Sequence, residues 1–149
     1  MSKLDHISVD EIVRALDLAA HPEGGFYRET FRDPLRSHGR AVSTAIYYLL
    51  PAGQTSAWHR VDAAELWHYY AGAPLKLRIM EGTAQQIYEL GNSFMEGQRP
   101  QVIVPANSWQ SAQSLGEWTL VGCTVAPGFE FSRLELAAEG RFEAKERDW

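Results

Sequence analysis

His59 and Glu65 lie six positions apart in the aromatic-rich stretch from Gly53 to Gly72. Imidazole titrates near neutrality, and a nearby carboxylate raises its pKa. Such a pair suits proton abstraction beside a carbonyl, with His59 as base and Glu65 as its orienting partner. Tyr69 is the third candidate catalytic residue, since a tyrosine such as Tyr69, Tyr27 or Tyr47 can return a proton from the other side. Gln110, Trp67, Tyr27, Tyr47 and Arg28 are the candidate substrate-binding residues. The same groups can also form a polar pocket that binds a ligand and does nothing further to it. Trp58, Trp67, Trp109 and Phe129 offer rings for the pocket mouth, or bulk for a core.

Several chemistries lack their motifs. There is no Walker loop and no dinucleotide fingerprint, because Gly24-Gly25 lacks the required neighbours. There is no Gly-x-Ser-x-Gly elbow, no Cys-x-x-Cys and no His-Glu-x-x-His. The single cysteine, Cys123, sits in an apolar run and reads as a buried structural thiol. One cysteine cannot form an internal disulfide, which fits a reducing compartment and a cytoplasmic protein. No signal peptide is visible at the N-terminus. The net charge of −5 repels phosphate backbones, so nucleic acid and anionic membranes are poor partners and a small molecule is the expected one. Arg32, Arg36 and Arg40 read as a solvated loop with Asp33 among them.

The elements that must hold these residues are mostly strands. At 149 residues with 45% hydrophobic content, the chain has the size and composition of one folded domain. Ser8 and Glu11 have capping-box spacing, and Ile12, Leu16 and Ala19 follow helical period, which predicts one helix over about 8–20 that Pro22 stops. From about 26 to 136 the pattern is β-branched and aromatic runs between turn signals. The expected strands are 26–31, 42–50, 55–58, 65–70, 75–80, 84–90, 101–104, 109–114, 118–125 and 129–136. Many short strands at regular spacing predict an all-β sandwich or barrel. Leu75, Leu77 and Ile79 alternate with Lys76 and Arg78, which predicts one wet face. Along a strand, Glu65, Trp67 and Tyr69 share a face. His68 falls on the other side, and only a bulge would bring it in. The charged tail, 137–149, carries Glu143 and Arg147 at the spacing of a short exposed helix.

Gly53, His59, Glu65 and Gly72 fall on the spacing of the first cupin motif, with Val61 where that motif has its second histidine. Pro105-Ala106-Asn107-Ser108-Trp109-Gln110 resembles the second motif, with Gln110 at the histidine position. The blocks His21-Pro22-Glu23-Gly24-Gly25-Phe26-Tyr27-Arg28-Glu29-Thr30, Ser43–Leu50, Trp67-His68-Tyr69, Gly97-Gln98, Pro100-Gln101, Val104-Pro105 and Val121–Phe129 resemble the fifth cupin family, a domain of unknown function. The resemblance implies a double-stranded β-helix, a jelly-roll-like barrel resembling deoxysugar epimerases in shape, usually paired as a homodimer. A typical cupin metal site uses three histidines and a glutamate. Here only His59 and Glu65 of those four positions are strong ligands, with Gln110 able to add a weak oxygen. The expectation is therefore a metal-independent isomerase or epimerase on a sugar-like or carbonyl substrate. A non-catalytic binding module is the alternative, and a third is a metal-dependent cupin such as a dioxygenase, with His68 or a water completing the shell.

Overall fold

The computed structural model describes residues 6–138 and 140–142. It is an all-β barrel of two facing sheets with one helix against the outside. The helix α1 (Val9–Leu16) is followed by β1 (Ala19–Ala20), β2 (Phe26–Arg32), β3 (Arg36–Ser37), β4 (Arg40–Ala41) and β5 (Thr44–Pro51). Then come β6 (His59–Arg60), β7 (Ala64–Gly72), β8 (Leu75–Glu81), β9 (Ala84–Leu90) and β10 (Gln101–Val104). The last strands are β11 (Trp109–Ser114), β12 (Trp118–Ala126) and β13 (Glu135–Leu136). One sheet runs β1-β2-β5-β12-β7-β10 and the other β13-β6-β11-β8-β9, while β3 and β4 form a small hairpin. Leu50, Trp67, Leu75, Leu77, Ile79, Val104, Ala112 and Val121 fill the space between the sheets.

Ser8 caps α1, its Oγ accepting from the Glu11 N–H at 3.1 Å. The helix ends at Leu16, short of the expected residue 20. Asp17 takes a left-handed conformation at φ 56°, and the Leu18 N–H closes back on Val13 O at 2.9 Å. Ala19 and Ala20 are then free to pair with Tyr27 and Phe26. The apolar face of α1 packs through Ile12 on Leu49 and Trp118, on the outer side of the larger sheet.

Three more expectations are corrected. Residues 55–58 make only one bridge, Thr55 to Gln113; the Ser56 side chain and carbonyl bond to Ala112 N and Ser111 Oγ in place of a ladder. Residues 129–136 form a 3-10 turn (Phe131–Arg133) and the two-residue β13 rather than one strand. The second face of β8 is wet only in part, at the half-buried Lys76. Arg78 is fully buried, and Met80 packs with Trp58 and Trp109 on the outside of the smaller sheet. The expected helix around Glu143 and Arg147 lies outside the described residues. Among the described residues, no helix is long and apolar enough to cross a membrane.

One irregularity shapes the barrel interior. Tyr27 and Glu29 of β2 pair with Tyr48 and Ile46, but the register slips between Glu29 and Phe31, so Arg32 comes to lie opposite Thr44. Strict alternation would have put Tyr27, Glu29 and Phe31 on the inner face. The extra residue turns Phe31 outward, 48% exposed, and sets Arg32 on the inner rim instead.

Candidate functional site

One cavity of about 160 Å³ opens at an end of the barrel. Its floor carries His21, Glu23, Tyr48, His59, Glu65 and Cys123. Val61, Ile46 and Val125 form apolar wall, and Tyr27, Phe129, Phe131 and Arg32 stand nearer the mouth.

His59 and Gln110 lie directly opposite each other on β6 and β11, so both point inward. Glu65 lies opposite Val125 of β12 and Val104 of β10 on the other sheet. The two sheets thus bring His59 and Glu65 to one cavity. The carboxylate that touches His59, however, is Glu23, whose Oε2 lies 3.0 Å from His59 Nε2. His59 Nδ1 lies 2.7 Å from the Ala57 carbonyl, which only accepts. Nδ1 therefore carries a proton, and the contact between Nε2 and Glu23 needs another. Burial alone would push the imidazole toward neutrality; the charge and hydrogen bond of Glu23 outweigh it and raise the His59 pKa to about 9. Burial likewise works to raise Glu23, and His59 overcomes it and holds the carboxyl below its ordinary value. The pair is an imidazolium against a carboxylate.

Glu23 reaches this place through a pinned turn. The His21 N–H donates to Gly25 O and the Gly24 N–H to His21 O, both at 3.0 Å. The Tyr48 hydroxyl donates to Gly24 O at 2.6 Å, and Ala57 N–H donates to Glu23 O at 2.6 Å. Gly25 has φ +74°, and a Cβ on it would meet Leu49 O at 2.7 Å. Within the turn, the Glu23 N–H donates to His21 Nδ1 at 3.1 Å. That nitrogen is an acceptor, so the 3.9 Å approach of Glu23 Oε2 to it is not an ion pair. Burial lowers the His21 pKa, and the His59 charge lowers it further against the opposing effect of Glu23. His21 is a neutral ring with its proton on Nε2.

Glu65 is a different carboxylate. Trp67 Nε1–H donates to Gln110 Oε1 at 2.9 Å, and Gln110 Nε2–H donates to Glu65 Oε1 at 2.8 Å. The neighbouring Cys123 thiol also works to lower the Glu65 pKa. Burial raises Glu65 to about 7, with the Glu23 charge assisting and His59 and Gln110 opposing. Burial pushes the Cys123 thiol and the Tyr48 phenol well above their usual values.

The other residues singled out in the sequence separate into three places. Tyr27 lines the cavity, in edge contact with the His21 ring at 4.6 Å. Trp67 and Gln110 are buried behind Glu65 and orient it without lining the cavity. Tyr69 shares the inward face but packs in the core, with its hydroxyl donating to Gly72 O. Tyr47 and Arg28 face outward. Tyr47 packs in the α1 cluster, and Arg28 donates to Leu16 O at 3.1 Å. Phe129 is at the mouth, whereas Trp58 and Trp109 lie on the outside of the smaller sheet. His68 also faces out, bonded to Thr124 Oγ1 and Gln101. Arg40, expected in a solvated loop, is buried against Asp62 at 2.8 Å and donates to Gly128 O, which anchors the segment carrying Phe129. Sequence reading missed His21 and Glu23 as site residues; their mark was a histidine and an acid flanking a proline before paired glycines. It also missed that Cys123 faces the cavity.

The residues here do not suit a divalent cation bound in the manner of three histidines and a glutamate. The inward position of the second histidine is Val61. Gln110 turns its NH2, not its oxygen, toward Glu65, because the donor-only Trp67 indole holds the oxygen. His59 Nε2 is committed to Glu23. Among the described residues, no three His, Cys, Asp or Glu side chains are grouped to hold a metal.

The chain matches the family profile described as Cupin superfamily (DUF985) over residues 10–137. It is similar to a crystal structure of a Shewanella oneidensis protein, at 33% identity and TM-score 0.87, covering 93% of this chain and 89% of that one. A Leishmania major hypothetical protein is 25% identical, with TM-score 0.84 and coverage of 95% and 94%. Bacillus subtilis oxalate decarboxylase shares the fold at 14% identity and TM-score 0.62, over 89% of this chain and 34% of that one. No curated protein matches the chain.

Proposed function

The chain belongs to the cupin superfamily family DUF985, and from that premise we propose that its barrel binds a small carbonyl compound and moves a proton on the carbon beside the carbonyl, with Glu65 as base and no metal ion. The observation that carries this reading is the split between two carboxylates in one cavity: Glu23 is held ionised by His59, while Glu65 sits at about 7. Carboxylates pushed apart in this way mark an acid/base site. A base is most effective when its pKa lies near the working pH. The base role passes from His59 to Glu65 because an imidazolium with both ring protons committed has no lone pair to offer.

In the proposed step the Glu65 carboxylate takes a proton from carbon. The C–H electron pair becomes the C=C bond of an enolate, and the carbonyl π pair moves to oxygen. Once Glu65 has exchanged that proton with solvent, its return to the same face of the carbon replaces the hydrogen and restores the carbonyl. The imidazolium of His59 supplies fixed positive charge near the developing anion. Cavity size favours a small substrate, since a dry cavity of about 150 Å³ accepts a benzene ring and this one is about 160 Å³.

The test is deuterium exchange. Wild-type protein incubated in D2O with EDTA and small ketones, aldehydes or keto acids is expected to exchange the hydrogen beside the carbonyl of at least one, as read by proton NMR. Glu65→Gln is expected to slow it at least ~100-fold. Exchange in that variant at the wild-type rate would sink the reading.

A second reading, a ligand-binding module without turnover, draws on a separate observation. Tyr27, Phe129 and Phe131 give the mouth a wall of rings, of which Phe129 and Phe131 meet edge-on at 5.0 Å. Such walls serve binding whether or not a reaction follows. A compound that raises the melting point of the protein but shows no exchange would favour this second reading.

A further inference from the structure

Resting on Glu65 as the base, we propose that His21 polarises the substrate: its neutral ring presents Nε2–H to the carbonyl oxygen of a small ketone or aldehyde, where negative charge develops as the neighbouring C–H is broken. The ring lines the cavity. Its Nδ1 is occupied as acceptor of the Glu23 N–H at 3.1 Å, which fixes the proton on Nε2. Among the described residues, that Nε2–H has no hydrogen-bond partner. The ring cannot turn easily. Tyr27 meets it at 4.6 Å and 74°, Tyr48 at 5.8 Å and 73°, and Phe131 at 5.9 Å and 42°. A donor held in place before the reaction needs no reorganisation when charge appears.

The fold alone does not call for a histidine here. Accepting one N–H two residues along a turn is a task that Asn or Asp performs with a shorter side chain. The second nitrogen of the imidazole serves nothing within the turn, and the ring that carries it lines the cavity. Neutrality also fits the task. A neutral N–H stabilises charge on oxygen by hydrogen bonding and keeps its own proton, so the proton inventory stays with Glu65. Glu23 then has two roles from one turn: its backbone orients His21, and its carboxylate holds His59.

The experiment uses the full chain with 15N-labelled histidine. Ring-nitrogen NMR between pH 6 and 8 is expected to show His21 as the neutral Nε2–H tautomer. Acetohydroxamate, a small planar mimic of an enolate, added with EDTA present, is expected to shift that Nε2 resonance. His21→Phe is expected to bind acetohydroxamate at least tenfold more weakly, while His21→Gln, which keeps a donor, stays within about threefold of wild type. An Nδ1–H tautomer, an imidazolium, an Nε2 resonance indifferent to acetohydroxamate, or undiminished binding by His21→Phe would each overturn the assignment. If His21→Phe does not fold, the wild-type resonance decides alone. Failure of the Glu65 reading looks different: the Nε2 resonance responds to acetohydroxamate, yet Glu65→Gln still exchanges deuterium.

Discussion

The indole of Trp67 donates to Gln110 Oε1 at 2.9 Å, and this one bond decides which end of the Gln110 amide faces Glu65. Indole N–H only donates, so the amide oxygen is taken and its NH2 must serve the carboxylate. A relay of two hydrogen bonds thus runs from a buried core residue to the edge of the cavity, and it moderates the rise that burial imposes on Glu65.

Removing the first link should release the second. In Trp67→Phe the Gln110 oxygen loses its donor, and the amide is free to rotate away from Glu65. The Glu65 pKa should then rise above about 7, because a hydrogen bond to the charged form is lost. The rising limb of the deuterium-exchange profile is expected to move to higher pH. An unmoved limb in a folded Trp67→Phe protein would show that the relay does not tune the carboxyl.

The rate itself should follow Glu65. Exchange is expected to be slow at pH 5, to rise through a midpoint near 7, and to level off above it, since only the carboxylate accepts a proton. A flat profile over this range would count against Glu65 as the base.

Stability should fall as pH rises across neutrality. His59 is raised from 6.5 to about 9, so its contribution is complete below pH 6.5 and is lost as pH approaches 9. Glu65 is raised from 4.5 to about 7, so the folded state holds its proton more tightly and stability declines through that interval. Glu23 is lowered, so its contribution is present above 4.5 and is lost as pH falls through its folded value. The melting temperature is expected to be highest near pH 5 and lower by several degrees at pH 9. In Glu65→Gln the decline between pH 5 and 7 should shrink while that between 7 and 9 persists.

Breaking the buried ion pair from one side leaves a charge without its partner. Glu23→Gln and His59→Gln are each expected to destabilise by about 3–5 kcal/mol. The double variant should cost clearly less than their sum, because neither charge remains. Additive single effects in urea unfolding would argue that the 3.0 Å contact carries little coupling.

The same geometry makes a prediction about metal ions. Val61 and Gln110 hold the two positions where the first and second motifs place histidine, so Val61→His with Gln110→His should create a nickel or zinc site. Calorimetry is expected to show at least tenfold tighter binding than wild type. Equal affinity would mean that the Glu23 bond to His59 Nε2 outcompetes the ion.

The barrel was legible because strands announce themselves locally. Alternation and turn residues located β2, β7 to β12 and the helix cap with small errors at the ends. The errors share a cause. The overrun of α1 and the single strand expected over 129–136 both ignore tertiary demands: Ala19 and Ala20 are taken up by β2, and Phe129 and Phe131 turn to cover a cavity. Arg78 looked solvated because period two marks the two faces of a strand but not what packs outside the sheet.

The sequence by itself determined the all-β architecture, the common strand face of Glu65, Trp67 and Tyr69, and the loss of strong ligands at Val61 and Gln110. Each follows from spacing within a strand or a short motif, where the backbone period dictates the face. Only the tertiary structure decided that Glu23, 36 positions before His59, is its ionic partner, that the slip between Glu29 and Phe31 delivers Arg32 to the rim, and that His21 stands neutral beside them. Those contacts join a turn, a short strand and a sheet edge that are distant in the chain, and their protonation depends on burial that no local pattern encodes.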